Sequence, residues 1–168
     1  MKQKLVSCFV AMSMCGFLIP FPSADNRYLG MIGINGSYPA NTAINNADLI
    51  IALGVSFSDR STCKNEKFAS NAKIISVNTK KSISNFEFEI QADSKMFIDA
   101  LLMRLEGTFD YSQWIKNTEI LKQENVRDFS VSNQLHSSYV LEKIYEKTRE
   151  FEPVVVTDVG QHQMLTAQ

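Results

Sequence analysis

The segment Gly30–Asn41 contains the residues best suited to hold the anionic group of a ligand. Gly30, Gly33 and Gly36 recur at every third position just before a short predicted helix, Ala40–Asn46. Glycines let a backbone approach a ligand closely, and the first amides of a helix point towards an anion. The spacing is not the G-x-G-x-x-G fingerprint, so a turn-rich loop without a ligand fits the pattern equally well.

A second segment follows the apolar run Asp48–Leu53, which is typical of a buried parallel strand. In open α/β sheets, ligands bind outside the carboxyl ends of the strands. At this place Gly54 would let a ligand approach, Ser58 would hydrogen-bond it, and Arg60 would donate two parallel hydrogen bonds to a phosphate. The alternative is a solvated loop in which Asp59 pairs with Arg60.

A third segment, Thr157–Met164, follows the valine-rich run Pro153–Thr157. Gly160 permits a tight turn into a helix, whose first amides would face a phosphate. His162 by itself is more typical of a structural hydrogen-bonding residue than of a catalytic one. His136 lies in a polar stretch and is expected to be exposed.

Other catalytic patterns are missing from the sequence. There is no G-x-S-x-G or H-E-x-x-H motif and no spacing of metal ligands. Cys8, Cys15 and Cys63 form no C-x-x-C, which argues against a disulfide framework and a zinc ribbon and favours a reduced, cytoplasmic compartment.

Composition excludes several classes of protein. The 168 residues include 17 Lys+Arg and 18 Asp+Glu, with 45% hydrophobic and 21% charged residues. These values are ordinary for a globular protein and exclude a wholly disordered, collagenous or coiled-coil chain. A net charge of −1 also argues against a nucleic-acid partner, which would require a basic excess or a basic face.

Short apolar runs alternate with amphipathic stretches, which predicts an α/β fold with a Rossmann-like, mainly parallel sheet flanked by helices. Phe86–Ile90 alternates apolar residues with Glu87 and Glu89 and is expected at a sheet edge. Strands are expected at 5–14, 48–53, 72–77, 86–90 and 153–157. Helices are expected at 40–46, at 94–105 with Ser94 as the N-cap, at 111–125 on the surface, and at 137–149.

The polar composition of residues 106–136 indicates a domain boundary within 126–136. We therefore expect a central Rossmann-like domain at 1–125, a connector at 126–136, and the start of a second domain at 137–168.

The N-terminus allows two interpretations. A basic start and the apolar run Leu5–Phe21 before Pro22-Ser23-Ala24 resemble a secretory signal peptide. Alternatively, Leu5–Met14 is a buried strand. The run contains two serines, a glycine and a proline before Phe21, so a membrane-spanning helix and a membrane partner are not expected.

The three segments together resemble acetolactate synthase large subunits, which are thiamine-diphosphate enzymes. The central domain of that family typically reads GMxGMHGTYxAN, ADLLIAxGARFDDRVTG and FAPNAKIIHIDID, which match Gly30–Asn41, Ala47–Thr62 and Phe68–Asn78. Val154–Gln168 resembles IVVTDVGQHQMWAAQ, which opens the family's C-terminal cofactor-binding domain. Residues 21–30 also fit the family's FPxDxPxxLGM, which favours the strand interpretation of Leu5–Met14.

The resemblance implies a role in a larger enzyme. Family members decarboxylate pyruvate on thiamine diphosphate and condense the product with a second 2-keto acid. Their first domain carries the glutamate that activates the cofactor, and their third domain carries the Mg²⁺ motif. Neither is found here, so no catalytic residue and no metal ligand is assigned, and the chain alone is expected to be inactive.

The resemblance also implies cofactor contacts. Many members hold a structural FAD, but here Ser56 replaces an arginine of the family motif, and Asn78 replaces an acid. Loss of a charged donor removes about 1.5–3 kcal/mol of hydrogen bonding, which makes flavin binding doubtful. By matched position, Gly33, Ile34, Asn35, Gly54, Ser58, Arg60 and Asp93 would line the flavin, and Val159, Gly160, Gln161 and His162 would approach thiamine diphosphate.

Two alternatives remain open. The chain could belong to another thiamine-diphosphate enzyme that acts on a different 2-keto acid or a cyclic diketone. It could also be a stand-alone nucleotide-binding or interaction module. The partners implied by the family are a homo-oligomer, the missing domains and a regulatory subunit.

Overall fold

The computed structural model describes residues 7–10, 25–62, 68–81, 86–107, 110–124 and 135–166, with side chains throughout except at 7–10 and 60. The chain divides into two compact units, residues 1–124 and residues 125–168. Each unit is described by itself.

The first unit is built on a parallel sheet of four strands. The strands lie side by side in chain order, and every neighbouring pair is parallel. Ile50, Ile51 and Ala52 are buried at the centre of the second strand, as expected for a strand covered on both faces. The strands are β1 (Ser7–Val10), β2 (Leu49–Leu53), β3 (Lys73–Asn78) and β4 (Phe88–Gln91).

Three helices of the first unit lie where their sequence patterns predict them, and the short helix Asp59–Thr62 was predicted as a loop. Helix α1 (Tyr38–Asn46) packs against α4 (Ser112–Glu124). Most of α4 is exposed, but its Thr118 is buried. The helices are α1 (Tyr38–Asn46), the short α2 (Asp59–Thr62), α3 (Ser94–Arg104) and α4 (Ser112–Glu124).

One hydrophobic cluster joins α1 to the sheet and to the loops beside them. Ile44 of α1 and Ile50 of β2 are almost completely buried in it. Its remaining fully buried members are Ile32, Ala40, Ala47, Ala52, Val55 and Ala69. Four of the eight are alanines, so helix and sheet approach closely, and a larger side chain at these positions would require repacking.

The second unit contains α5 (Ser137–Thr148), a 3₁₀ turn (Arg149–Phe151) and α6 (Gln161–Thr166). His136 precedes α5 and is exposed, as predicted.

The predicted fold class is confirmed, because a mainly parallel sheet with flanking helices is present. Strands β2, β3 and β4 each begin and end within about two residues of their predicted limits. The predicted strand 5–14 is described only at Ser7–Val10; its other residues, and most of the predicted connector, lie outside the described residues.

The predicted strand Pro153–Thr157 is wrong. These residues have no regular secondary structure, and Val154 and Val156 are 90% and 87% exposed. A strand needs a neighbour to pair with its N–H and C=O groups. The described residues of the second unit contain no other strand, so the high β-propensity of three valines has nothing to pair with.

The predicted cap of α3 is wrong by one residue. Asp93, not Ser94, is the N-cap: its Oδ1 accepts hydrogen bonds from the amides of Lys95 (2.9 Å) and Met96 (3.3 Å). An aspartate cap accepts hydrogen bonds from the first amides of the helix. Unlike a serine, it also places a negative charge at the positive end of the helix dipole.

The apolar side chains that recur at helical spacing along α3 and α5 are only partly buried. On α3, Phe97 is half-buried but Leu102 is 64% exposed. On α5, Ile144 and Tyr145 are 53% and 63% exposed. Periodicity therefore located both helices correctly but overstated the depth of their packing.

Candidate functional site

The glycine-rich loop before α1 is held by α1 itself. Gly30 and Gly33 have φ values of 91° and 103°, a left-handed conformation that favours glycine. The amide of Gly33 donates to Oδ1 of Asn41 over 2.8 Å, and Nδ2 of Asn41 donates to the carbonyl of Gly33 over 2.9 Å. The side chain of Asn41 therefore pins the buried Gly33 to the first turns of the helix.

The third glycine has a steric role. A Cβ at Gly36 would lie 2.5 Å from the carbonyl carbon of Ile32 and from the carbonyl oxygen of Met31. The amide of Ser37 donates to the Met31 carbonyl over 2.8 Å and closes the loop. The spacing of the glycines is thus explained by the packing of the loop on its own backbone.

Two predicted ligand contacts lie at the tip of this loop. Ile34 is 66% exposed, and Asn35 is exposed beside it. Gly33, which was predicted beside them, is buried, and its two backbone groups are bonded to Asn41. Of these three predicted contacts, therefore, only Ile34 and Asn35 are accessible from outside the loop.

The loop after β2 meets the start of α3. Gly54 has a φ of 65°, and its amide donates to the carbonyl of Val77 over 2.8 Å. A Cβ at Gly54 would lie 3.9 Å from Oγ of Ser94. The structure therefore brings together Gly54 and the N-terminus of α3, where Asp93 is the cap.

Ser58 lies at the start of α2 and is already bonded within the loop. Its Oγ lies 2.9 Å from Oγ of Ser61, and its carbonyl accepts a hydrogen bond from Oγ1 of Thr62 over 3.1 Å. The backbone of Arg60 is in α2, but its side chain lies outside the described part of the structure. The predicted phosphate contact of Arg60 and the alternative pairing with Asp59 therefore both stay predictions.

A shared core positions the two loops. Ile32, beside Gly33, and Val55, beside Gly54, are both buried in the hydrophobic cluster described above. Phe57 adds an anchor, since its ring packs on that of Phe68 at 6.2 Å between centroids. Both loops are fixed to the same packed residues.

The matched thiamine-diphosphate residues lie in the second unit. Val159 is 88% exposed, and its amide donates to Oδ1 of Asp158 over 2.7 Å. Gly160 precedes α6, and a Cβ there would lie 2.7 Å from Cε1 of His162. The missing side chain of Gly160 is therefore what allows the imidazole to lie over the turn.

Among the side chains that the structure describes, those matched to a flavin site do not form a cradle for a diphosphate. The amides of Gly33 and Gly54 and the hydroxyl of Ser58 are bonded within the chain, and the carboxylate of Asp93 caps α3. That carboxylate would also repel a phosphate. The described side chains of the matched set include no cation.

The residues matched to thiamine diphosphate fit that group as part of a site. Gln161 and His162 are exposed and carry polar groups beside an open glycine turn. Among the residues that the structure describes, no three His, Cys, Asp or Glu side chains cluster as a metal site would require.

An ion pair precedes the glycine loop. Arg27 donates to Asp25 from Nε over 2.9 Å and from Nη2 over 2.7 Å. These hydrogen bonds hold the pKa of the Asp25 carboxyl well below its ordinary value. Nearby, Nζ of Lys122 donates to the carbonyl of Asn26 and links α4 to this segment.

Sequence reasoning missed one polar region. Thr79–Lys81, directly after β3, lies beside a cleft at the ends of β3 and β4. Two consecutive lysines at the carboxyl end of a predicted strand were the available signal, and they were not singled out.

Within the described residues, no helix combines the length and the apolar character needed to cross a membrane.

The fold and the order of these loops agree with a comparison with protein families. The family model described as "Thiamine pyrophosphate enzyme, central domain" matches residues 5–101, more than half of the chain. The chain therefore belongs to this family. Thiamine pyrophosphate, the term in the family's description, is an older name for thiamine diphosphate.

The curated relatives narrow this class, and the resemblance predicted from the sequence is confirmed. Acetolactate synthase 1 (chloroplastic) of Zea mays is 37% identical over 158 residues, covering 88% of this chain and 25% of the relative. The acetolactate synthase large subunit of Haemophilus influenzae is 33% identical over 157 residues, covering 88% and 27%. That of Lactococcus lactis is 33% identical over 153 residues, covering 88% and 26%. The chain thus spans about a quarter of the length of these relatives.

Proposed function

We propose that this chain provides the central-domain part of an acetolactate synthase large subunit. The proposal rests on the match of the central-domain family model to residues 5–101. The three relatives compared above are all named acetolactate synthases. The complete enzyme would decarboxylate pyruvate and join the product to a second 2-keto acid.

In this proposal residues 1–125 are the central domain, 126–136 a connector, and 137–168 the start of the cofactor-binding domain. Thiamine diphosphate, when bound, supplies the electron sink for decarboxylation. Gln161 and His162 would contact it, and Gly160 would leave space for the imidazole. The Mg²⁺ ligands and the activating glutamate would come from segments outside the matched quarter of the relatives.

The role of Gly160 can be tested by its replacement with alanine. The added Cβ would overlap the His162 ring, which lies 2.7 Å from that position, so the ring must leave the turn. We expect the imidazole NMR signals of His162 to shift and those of the exposed His136 to stay unchanged. Unchanged signals from both histidines would contradict the assigned position of the ring.

We propose that FAD is bound weakly or not at all. The predicted amide and hydroxyl donors are bonded internally, and Ser56 has no charge with which to hold a diphosphate. The purified protein is expected to show no flavin absorbance near 450 nm, before or after incubation with FAD. Tight, stoichiometric flavin binding would refute this part of the proposal.

A chimaera tests the proposed function. The aligned segment of the Haemophilus influenzae large subunit is replaced by the matching residues of this chain, and pyruvate, thiamine diphosphate and Mg²⁺ are supplied. We expect the chimaera to form acetolactate and the chain alone to form none. A folded chimaera that forms no acetolactate would contradict the proposed central-domain role. Turnover of pyruvate by the chain alone would contradict its expected inactivity.

The same assay addresses the competing substrates. Product analysis with pyruvate, other 2-keto acids and a cyclic diketone would show whether the chimaera departs from acetolactate synthesis.

We further propose assembly as a homo-oligomer, with a regulatory subunit as an additional partner, in a cytoplasmic setting. The family supports the assembly, and the absence of paired cysteine motifs supports a reducing compartment. Light scattering of the chimaera would measure its oligomeric state directly.

A further inference from the structure

The sequence contains a single Asn-Gly pair, Asn35–Gly36, at the tip of the glycine-rich loop. Asn35 is exposed, and Gly36 beside it is half-buried. Asparagine is one of the thermolabile residues, because the next backbone nitrogen can attack the carbon of its side-chain amide. A following glycine has no side chain to hinder that approach. This pair is therefore the place in the chain best suited to the attack.

The folded loop holds the attacking nitrogen in a hydrogen bond. The amide of Gly36 donates to the carbonyl of Gly33 over 2.9 Å. Nδ2 of Asn41 donates to the same carbonyl oxygen over 2.9 Å, and Oδ1 of Asn41 accepts a hydrogen bond from the Gly33 amide over 2.8 Å. The Gly36 nitrogen must release its hydrogen bond before it can lose its proton and attack. Asn41 therefore fixes the acceptor that keeps this nitrogen unreactive.

The residue after Gly36 closes the loop a second time. The amide of Ser37 donates to the Met31 carbonyl over 2.8 Å. Its Oγ donates to the Leu29 carbonyl and accepts a hydrogen bond from the Ala40 amide over 3.3 Å. Gly36 is therefore released only when several hydrogen bonds open together. The free energy of this local opening sets how often its nitrogen is available.

We propose that Asn35 is a self-modification site at which water converts the side-chain amide into a carboxylate when the loop opens. The Gly36 nitrogen gives its proton to solvent and bonds to Cγ of Asn35. The bond from Cγ to Nδ2 then breaks, and ammonia leaves with a proton taken from solvent. Water opens the resulting five-membered imide: breaking the bond from nitrogen to Cγ gives aspartate, and breaking the bond to the backbone carbonyl gives isoaspartate. Each route consumes a water molecule and releases ammonia, with no oxidation or reduction.

The isoaspartate product does not fit the closed loop. It lengthens the backbone between residues 35 and 36 by a methylene group. The surroundings of Gly36 leave no room for that shift, because even a Cβ there would lie 2.5 Å from the carbonyl oxygen of Met31. The hydrogen bonds of Gly36 and Ser37 are therefore expected to stay open after the conversion. The reaction needs neither a cofactor nor another part of an enzyme, so its test is independent of the proposed synthase function.

Peptide mapping by mass spectrometry, during incubation of the full chain at mildly alkaline pH, measures the conversion at each asparagine. Labelling by a protein isoaspartyl methyltransferase measures the isoaspartate. We expect conversion at Asn35 and far less at Asn45, which is exposed on α1 but precedes an asparagine. The urea-unfolded chain should convert faster than the folded chain, because the Gly36 amide is then free. Asn35→Gln is the matched control, since its longer side chain cannot close a five-membered ring.

Two results of this measurement would contradict the assignment of the site. One is the absence of conversion at Asn35 in the unfolded chain. The other is conversion of the folded chain that is as fast at Asn45 as at Asn35.

Two variants of Asn41 test the control of the reaction by the loop. Asn41→Ala removes both hydrogen bonds to Gly33 and should speed conversion of the folded chain by about tenfold or more, since a tenfold larger open population requires only about 1.4 kcal/mol. Asn41→Asp keeps an acceptor for the Gly33 amide but loses the donor to its carbonyl, and it should also convert faster than the parent. Circular dichroism would show whether each variant is folded, and the aspartate variant serves if the alanine variant is not.

In urea the loop is open in every chain, so the parent and both variants should convert at the same rate. Equal rates in the folded parent and a folded variant would show that Asn41 does not restrain the nitrogen and would overturn the proposal. A difference that persists in urea would assign the effect to the local sequence and would overturn it as well.

Discussion

Asn41→Ala should destabilise the first unit more than any change at an exposed asparagine of α1. The Asn41 amide makes two hydrogen bonds, of 2.8 and 2.9 Å, to the N–H and C=O of Gly33, which is buried. Their loss leaves two buried backbone groups unsatisfied, at about 1–3 kcal/mol each. The better helix propensity of alanine returns roughly 0.5 kcal/mol. The expected net loss in the free energy of unfolding is about 1.5–5.5 kcal/mol.

Urea unfolding followed by the fluorescence of Trp114 would measure this loss, since α4, which carries that residue, packs against α1. Asn45→Ala is the control, because Asn45 is exposed on the same helix and shares the propensity change. A difference of less than about 0.5 kcal/mol between the two variants would refute the claim that Asn41 holds the glycine loop. Hydrogen exchange at the Gly33 amide should accelerate only in Asn41→Ala.

Two further predictions concern charge. Asp93→Ala should lower the free energy of unfolding by about 1 kcal/mol, whereas Ser94→Ala should have little effect. Urea unfolding of both variants measures the two losses. A larger loss in Ser94→Ala than in Asp93→Ala would show that Asp93 is not the cap. The Asp25 carboxyl, hydrogen-bonded to Arg27, has a lowered pKa. Its stabilising contribution is therefore present above about pH 4 and disappears as the pH falls through the lowered pKa. NMR titration of the carboxyl carbon should show Arg27→Ala returning that pKa towards its ordinary value.

Local patterns were sufficient where neighbouring residues determine the structure. The apolar run that became β2 is short, rich in isoleucine and bounded by polar residues. Helix α1 begins two residues before its predicted start, Ala40, and ends at the predicted residue, Asn46. Such features act within one turn or one strand, and so they can be recognised without knowledge of the fold.

Patterns failed where a distant partner decides the outcome. The three valines of Val154–Val156 have the composition of a buried strand, yet they are exposed, because pairing requires a second strand. The leucines of α3 have helical spacing, but Leu102 is exposed, since periodicity does not specify what covers a face.

The amino-acid sequence by itself determined the α/β class, the positions of the main helices and strands, and the family, because spacing, caps and motifs are properties of adjacent residues. Only the tertiary structure decided which groups are free to meet a ligand. The side chain of Asn41 is hydrogen-bonded to the backbone of Gly33, and the carbonyl of Val77 accepts a hydrogen bond from the amide of Gly54. Hydrogen bonds and charges act between groups that are close in space, and folding alone sets those distances.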